Sequence, residues 1–224
     1  MTAKENISKR LIFYILGLNF IAIALVLNIR YNLGVAAFSS VMYSISSIYG
    51  ISLGIASIIC YLIFVLAQCI LSRKITAMYL IEIPFSFAFG FLTDFYDMII
   101  PDFTAILPIR VILFLATMFL TALGVFLYVN AAFIMIPTEG IVETISKVFS
   151  SRFSLVKNIF DISMVVISVL LCLFYRTPLY GIGAGTILSA FCIGRIIKIY
   201  ESFLSIPGNP KTVNVKEEIY PENN

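Results

Sequence analysis

Long uninterrupted apolar stretches alternate along the chain with short ones broken by small polar residues, and that alternation predicts its elements. Runs close to the roughly 20 apolar residues that cross a bilayer's hydrocarbon core as a helix cover 11–29, 53–71, 75 to the acids at 94 and 97, 109–129, 158–175 and 182–200. Pro84 falls inside the third run, where neighbouring helices can satisfy the backbone it frees. Two stretches do not fit this pattern: 31–50, YNLGVAAFSSVMYSISSIYG, and 131–154, AAFIMIPTEGIVETISKVFSSRFS. In the second, Pro137 stops the preceding helix and Thr138 caps a new one. Ile141, Val142, Ile145, Val148 and Phe149 then recur at helical spacing opposite Glu143, Ser146, Lys147 and Ser150. Each stretch reads as a short helix folded into a membrane protein behind a full-length span.

Composition fixes the class. The 224 residues are 61% hydrophobic and 12% charged, with 20 Phe and neither Trp nor His, more apolar surface than a soluble domain of this size buries. The chain reads as an all-α polytopic membrane protein with about six transmembrane helices, and its first partner is the lipid bilayer. Lys4, Lys9 and Arg10 precede an apolar run longer than a signal-peptide core, so the first span is retained. If the N-terminus is cytoplasmic, all but Arg30, Arg110 and Arg176 of the 15 Lys and Arg fall on the cytoplasmic side of six spans. This positive-inside bias places both termini in the cytoplasm. The same small, dispersed net charge of +3 excludes a nucleic-acid partner. One membrane domain covers 1–205, and the polar tail 206–224 reads as disordered and cytoplasmic. Cys60, Cys69, Cys172 and Cys192 lie in apolar runs without metal-ligand spacing and read as buried hydrophobes. No cofactor is indicated, and no His-dependent zinc or Ser-His chemistry is available, so an enzyme is not expected.

The halves match. Arg10-Leu-Ile-Phe corresponds to Arg110-Val-Ile-Leu, and Ile45-Ser46 to Ile145-Ser146. IPFSFAFGFLTDFY at 83–96 lies over ILSAFCIGRIIKIY at 187–200, with Gly90 on Gly194, so the offset drifts from 100 to 104 residues. Repeat one spans about 10–96 and repeat two about 110–200. Three spans per repeat is an odd number, so the second copy enters the bilayer from the opposite side, the inverted plan of many transporters. The alternative is eight spans with parallel repeats. That reading weakens the charge bias and puts Glu139, Glu143 and Lys147 inside the bilayer at roughly 2.5–3.5 kcal/mol for each charge near a helix centre.

On the inverted plan the short helices point their N-terminal ends at each other, with non-helical backbone at Asn32, Gly34, Pro137 and Gly140 that must face protein or water. Thr138 and Glu139 stand at one tip, and Asn32, Ser39 and Ser40 at the other. Glu82, two turns into the third span, faces the bundle interior, as a neutral acid bonded to a neighbouring span or as a carrier of protons or cations. Glu139 reads as dipole compensation or as part of a cation or proton site. Asp161 pairs with Lys157 one turn earlier, and Arg195 and Lys198 snorkel to lipid phosphates. Gly181, Gly183, Gly185 and Thr186 lack the lysine of a phosphate loop and read as a close-packed start to the last span. These residues outline a pathway, so the functional reading is a transporter or channel for a small solute or ion; the alternative is an accessory or scaffold membrane protein acting through a protein partner.

The layout resembles the YczE/YyaS/YitT family of bacterial membrane proteins. The resemblance rests on Asn32-Leu-Gly34 after the first span and on Gly183-Ala-Gly185-Thr186 with Gly194 in the last, over roughly Arg10 to Tyr200. Family members often carry Pro-Trp where this chain has Ala37-Phe38. The resemblance implies a multi-pass protein of the bacterial plasma membrane and implies no substrate.

Overall fold

The structure, a computed structural model, describes residues 3–102, 105–131 and 134–203; the predicted tail 206–224 lies outside the described residues. These form α1 (Ala3–Tyr31), α2 (Ala37–Tyr49), α3 (Leu53–Ser72), α4 (Ala77–Ile99), α5 (Leu107–Ala131), α6 (Pro137–Val148), α7 (Phe153–Phe174) and α8 (Ala184–Phe203). The sequence of lengths, long, short, long, long, occurs twice. Five helices, α1, α3, α4, α5 and α7, are long and apolar enough to cross a membrane, and Ala184–Ile197 of α8 is a shorter apolar stretch. At 1.5 Å per residue, the 13 residues of α2 and the 12 of α6 rise only about 18–20 Å. That falls short of a hydrocarbon core of roughly 30 Å.

The predicted spans recur with shifted ends. Helix α7 starts at Phe153, ahead of the predicted 158, so Lys157 lies within the helix and pairs with Asp161 Oδ1 one turn on at 2.9 Å. The start of α6 also differs from expectation. Helix α5 ends at Ala131, and Pro137 is the first residue of α6, where its missing N–H costs nothing. Ile136 occupies the cap without a side-chain bond, and the Thr138 hydroxyl donates to Glu139 Oε2 at 2.7 Å instead of capping. The buried face of α6 is Gly140, Ile141, Val142 and Thr144, whereas Val148 and Phe149 are exposed.

Helices α1 and α5 form the axis, running antiparallel. Arg10 Nε donates to Ala131 O at 2.9 Å, and Arg110 Nε donates to Tyr31 O at 2.6 Å, so each helix start is tied to the other helix's end. Between these ties the backbones nearly touch: a Cβ on Gly17 would stand 2.7 Å from Gly124 O, and one on Gly124 would stand 2.8 Å from Gly17 O. Small residues at the crossing permit that approach. Around the axis, α4 lies on α1 and α8 on α5, while α2 packs on α7 and α3, and α6 on α3 and α7. One joint lacks a counterpart: α3 and α4 pack along each other, and among the described residues α7 and α8 do not.

The short helices start inside the bundle. Phe38, at the start of α2, stacks 5.4 Å from Tyr61 and 5.2 Å from Phe64, halfway along α3. Its far end, Tyr49, bonds at 2.7 Å to Tyr175 just past the end of α7. Helix α6 behaves alike from the opposite end. Matching turns close both, with Ser46 Oγ donating to Ile51 O at 2.8 Å and Ser146 Oγ to Ser151 O at 2.6 Å. Gly50 and Ser150 take the same left-handed φ, 63° and 49°. The apolar core lies where these helices meet the long ones, around Val26, Met42, Cys60 and Val142 and around Tyr61, Phe85 and Phe89.

Candidate functional site

Glu82 projects from the second turn of α4 and is 2% exposed. A carboxylate carried to such a position needs a partner. Its partner is Gln68, fully buried on α3, whose Nε2 donates to Glu82 Oε2 at 2.7 Å. Helix α6 closes the cluster from the third side. Thr144 Oγ1 lies 3.5 Å from Gln68 Oε1, and the Tyr79 hydroxyl lies 3.4 Å from Thr144 Oγ1. Gly140 makes the approach possible, since a Cβ there would stand 2.7 Å from Glu82 Oε1 and 2.9 Å from Gln68 Oε1.

Glu139, half-buried, precedes Gly140, and its carboxylate lies close enough to act electrostatically on Glu82. Besides Thr138 it has the Tyr128 side chain within hydrogen-bonding range, and Tyr61 lies in its field. Tyr14 lies in the field of Glu82, and the charged groups facing Glu82 are Glu143 and Glu139. The centre therefore gathers Glu82, the Glu143 and Glu139 carboxylates that act on it, one amide and a wall of buried tyrosines. A positive charge placed among the acids is attracted by each, with little screening away from water.

Thr138, Glu139 and Glu82 are thus brought together, and the first-half candidates lie apart from them. Ser40 is buried, its Oγ donating to Ala37 O at 2.7 Å and its carbonyl accepting from Ser168 Oγ at 3.1 Å. Ser44 and Ser168 hydroxyls share a 2.7 Å bond beside it. Ser39 is half-buried. Asn32 is exposed, with φ 49°, and its carbonyl accepts from Arg110 at 2.8 Å. It borders a recess of about 420 Å³ together with Arg30, Tyr43, Asp102 and the turn at 178–181. Arg30 is held there by Asp97 at 2.8 Å and Asp102 at 2.9 Å. Phe38 against Tyr61 is one contact between the two sides.

Gln68, Thr144 and the tyrosines were not singled out in the sequence; Gly140 was expected as non-helical backbone, but it lies inside α6, which is helical from Pro137 onward. Gln68 had a signal, as an amide within the apolar run 53–71. Gly140 had only its place at the tip of a short helix. Among the described residues no group of three or more His, Cys, Asp or Glu gathers to hold a metal ion.

An all-helical bundle with five membrane-length apolar helices and a polar centre sealed inside it is a polytopic integral membrane protein. The chain belongs to the family of unknown function DUF6198, whose model matches residues 8–202. No curated protein and no solved structure matches the chain significantly.

Proposed function

We propose that this membrane protein is a transporter or channel for a small solute or ion, with Glu82 and Glu139 as the part of its path that carries charge. The observation that carries the reading is a carboxylate buried to 2% exposure, laid against the tip of a short helix whose first turn holds a second acid. Ionisable groups kept at such depth mark ion and proton pathways by default. Tips of broken helices meeting inside the bundle are where secondary transporters place their sites.

The inverted-repeat reading draws support from the paired ties of Arg10 and Arg110, the paired turns of Ser46 and Ser146, and the antiparallel course of α1 and α5. The turns at Arg73 and Arg176 match as well, with φ 51° and 53° and N–H bonds to Ile70 O and Leu173 O. On this reading α2 and α6 dip in from opposite sides without crossing, six helices cross, and both termini lie in the cytoplasm of a bacterial cell. The YczE/YyaS/YitT layout accords with that plan.

The test is flux in reconstituted vesicles holding a trapped pH indicator, with proton, sodium and potassium gradients imposed in turn. The native protein is expected to dissipate at least one gradient, and Glu82→Gln and Glu139→Gln to slow it at least tenfold. Undiminished flux in both variants at equal incorporation rejects the site. The accessory-protein reading is favoured by the packing of Ser40, Ser44 and Ser168, whose hydroxyls are bonded within the bundle and buried from any path. It predicts no flux of any tested ion by the native protein.

A further inference from the structure

The two halves are built alike except at one joint. In the first half α4 is locked onto the start of α3. Asp94 Oδ1 accepts from Gly54 N at 2.6 Å and Oδ2 from Ser52 Oγ at 2.6 Å, while Ser52 Oγ accepts from Ile55 N at 3.1 Å. The carboxylate thus covers unpaired N–H groups at the positive end of α3, where a negative charge is stabilising. Beneath it the backbones meet: a Cβ on Gly90 would stand 2.8 Å from Gly54 O.

The second half has the opposite chemistry at the matching positions. The alignment that sets Gly90 over Gly194 sets Asp94 over Lys198, and the offset of 100 residues sets Gly54 over Ser154. A positive residue replaces the one that capped a helix start, and a residue with a side chain replaces the glycine that allowed contact. The structure agrees, since a Cβ on Gly194 would meet nothing within 4 Å. Helix α8 rests on α5 and at its start on the α1–α2 connection, where Gly185 N donates to Leu33 O at 2.8 Å.

We infer that Asp94 makes α3 and α4 one fixed wall, and that α8 is the element that moves, closing and opening against α7. The fixed wall keeps Glu82 on Gln68 in every state. The moving wall is coupled to the recess, because Thr186 Oγ1 near the start of α8 donates at 3.1 Å to Gly181 O, which belongs to the recess lining. This goes beyond the transport reading and does not depend on it.

The test is distance measurement between spin labels in lipid nanodiscs, using the chain with its four native cysteines replaced. One pair sits at Ile59 and Phe91 on α3 and α4, the other at the matching exposed positions Ile159 and Arg195 on α7 and α8. A narrow distribution is expected for the first pair and a broad or two-peaked one for the second. Asp94→Asn should broaden the first pair alone, and Ser154→Gly with Lys198→Asp should narrow the second. Equal widths for the two pairs, or an Asp94→Asn variant that leaves the first pair unchanged, overturns the inference. Hydrogen exchange of the native chain needs no cysteine replacement and serves if that background does not fold. Faster exchange in α7 and α8 than in α3 and α4 is expected, and equal or reversed order overturns the inference. Because both readouts are structural, loss of flux does not affect them.

Discussion

Replacing Gly140 by Ala tests directly whether α6 lies on the acid and amide. The new methyl would stand 2.7 Å from Glu82 Oε1, 2.9 Å from Gln68 Oε1 and 3.1 Å from Gln68 Nε2, against ordinary contact distances of about 3.5–4.0 Å. Neither side chain can retreat freely, because they hold each other at 2.7 Å and both are buried. Either α6 shifts, an overpacking cost of about 1–3 kcal/mol, or the Gln68–Glu82 bond breaks, at about 1.5–3 kcal/mol for a bond to a charged group. Alanine returns about 1 kcal/mol of helix propensity over glycine. The net expectation is a loss of about 0–2 kcal/mol. In a Glu82→Ala background the clash with Oε1 vanishes, and the same change should be neutral or stabilising by up to about 1 kcal/mol. Unfolding of the four proteins in mixed micelles by a denaturing detergent measures this coupling. If Gly140→Ala costs the same in both backgrounds to within about 0.5 kcal/mol, α6 does not lie on Glu82 and the site is misplaced.

Gly34→Ala should be among the most damaging single changes, since φ is +123° and the methyl would stand 2.6 Å from Thr186 N and Oγ1. A sharp fall in the yield of monodisperse protein checks it, and native yield refutes it. Arg110→Ala removes bonds to Tyr31 O and Asn32 O and should cost about 1.5–3 kcal/mol. Arg110→Lys should recover less than half in the same unfolding assay, because a single ammonium on a flexible stem lacks the two separated, rigidly held nitrogens that reach the two carbonyls. Ser46→Ala and Ser146→Ala should each cost about 0.5–1.5 kcal/mol and resemble each other more closely than either resembles Ser39→Ala, whose hydroxyl makes neither turn.

The spans were legible because a helix in lipid must be apolar for its full length, and the six runs recur as α1, α3, α4, α5, α7 and α8. The short helices were legible from their failure to match that length. Ser46 and Ser146 were found as aligned residues, and the structure shows the reason: both close a helix onto the residue five positions ahead. Glu82 could be assigned to the interior from its charge alone. Its contact with Gly140 could not, because it depends on how α6 is rotated against residues of α3 and α4 more than 55 positions earlier in the chain. Thr138 misled for a related reason. Its type suits a cap, but the chain is still extended at Ile136, and Pro137 takes the first helical position. Among the described residues α7 and α8 do not pack along each other as α3 and α4 do, and the aligned segments differ there, with Lys198 under Asp94.

The tie between Arg10 and Ala131 spans 121 residues. A chain made from its N-terminus onward inserts α1 first, long before the ribosome has produced the helix that covers its glycine face and takes its arginine. Of the described helices, the first to be made is therefore among the last to be completed. Until α5 arrives, α1 presents bare small residues to lipid, and any helix of another protein able to come close can occupy that face. Synthesis that stalls in the connection before α5 would leave four inserted helices with their central seam unfilled, the state in which a membrane protease or an insertion chaperone has the most to recognise.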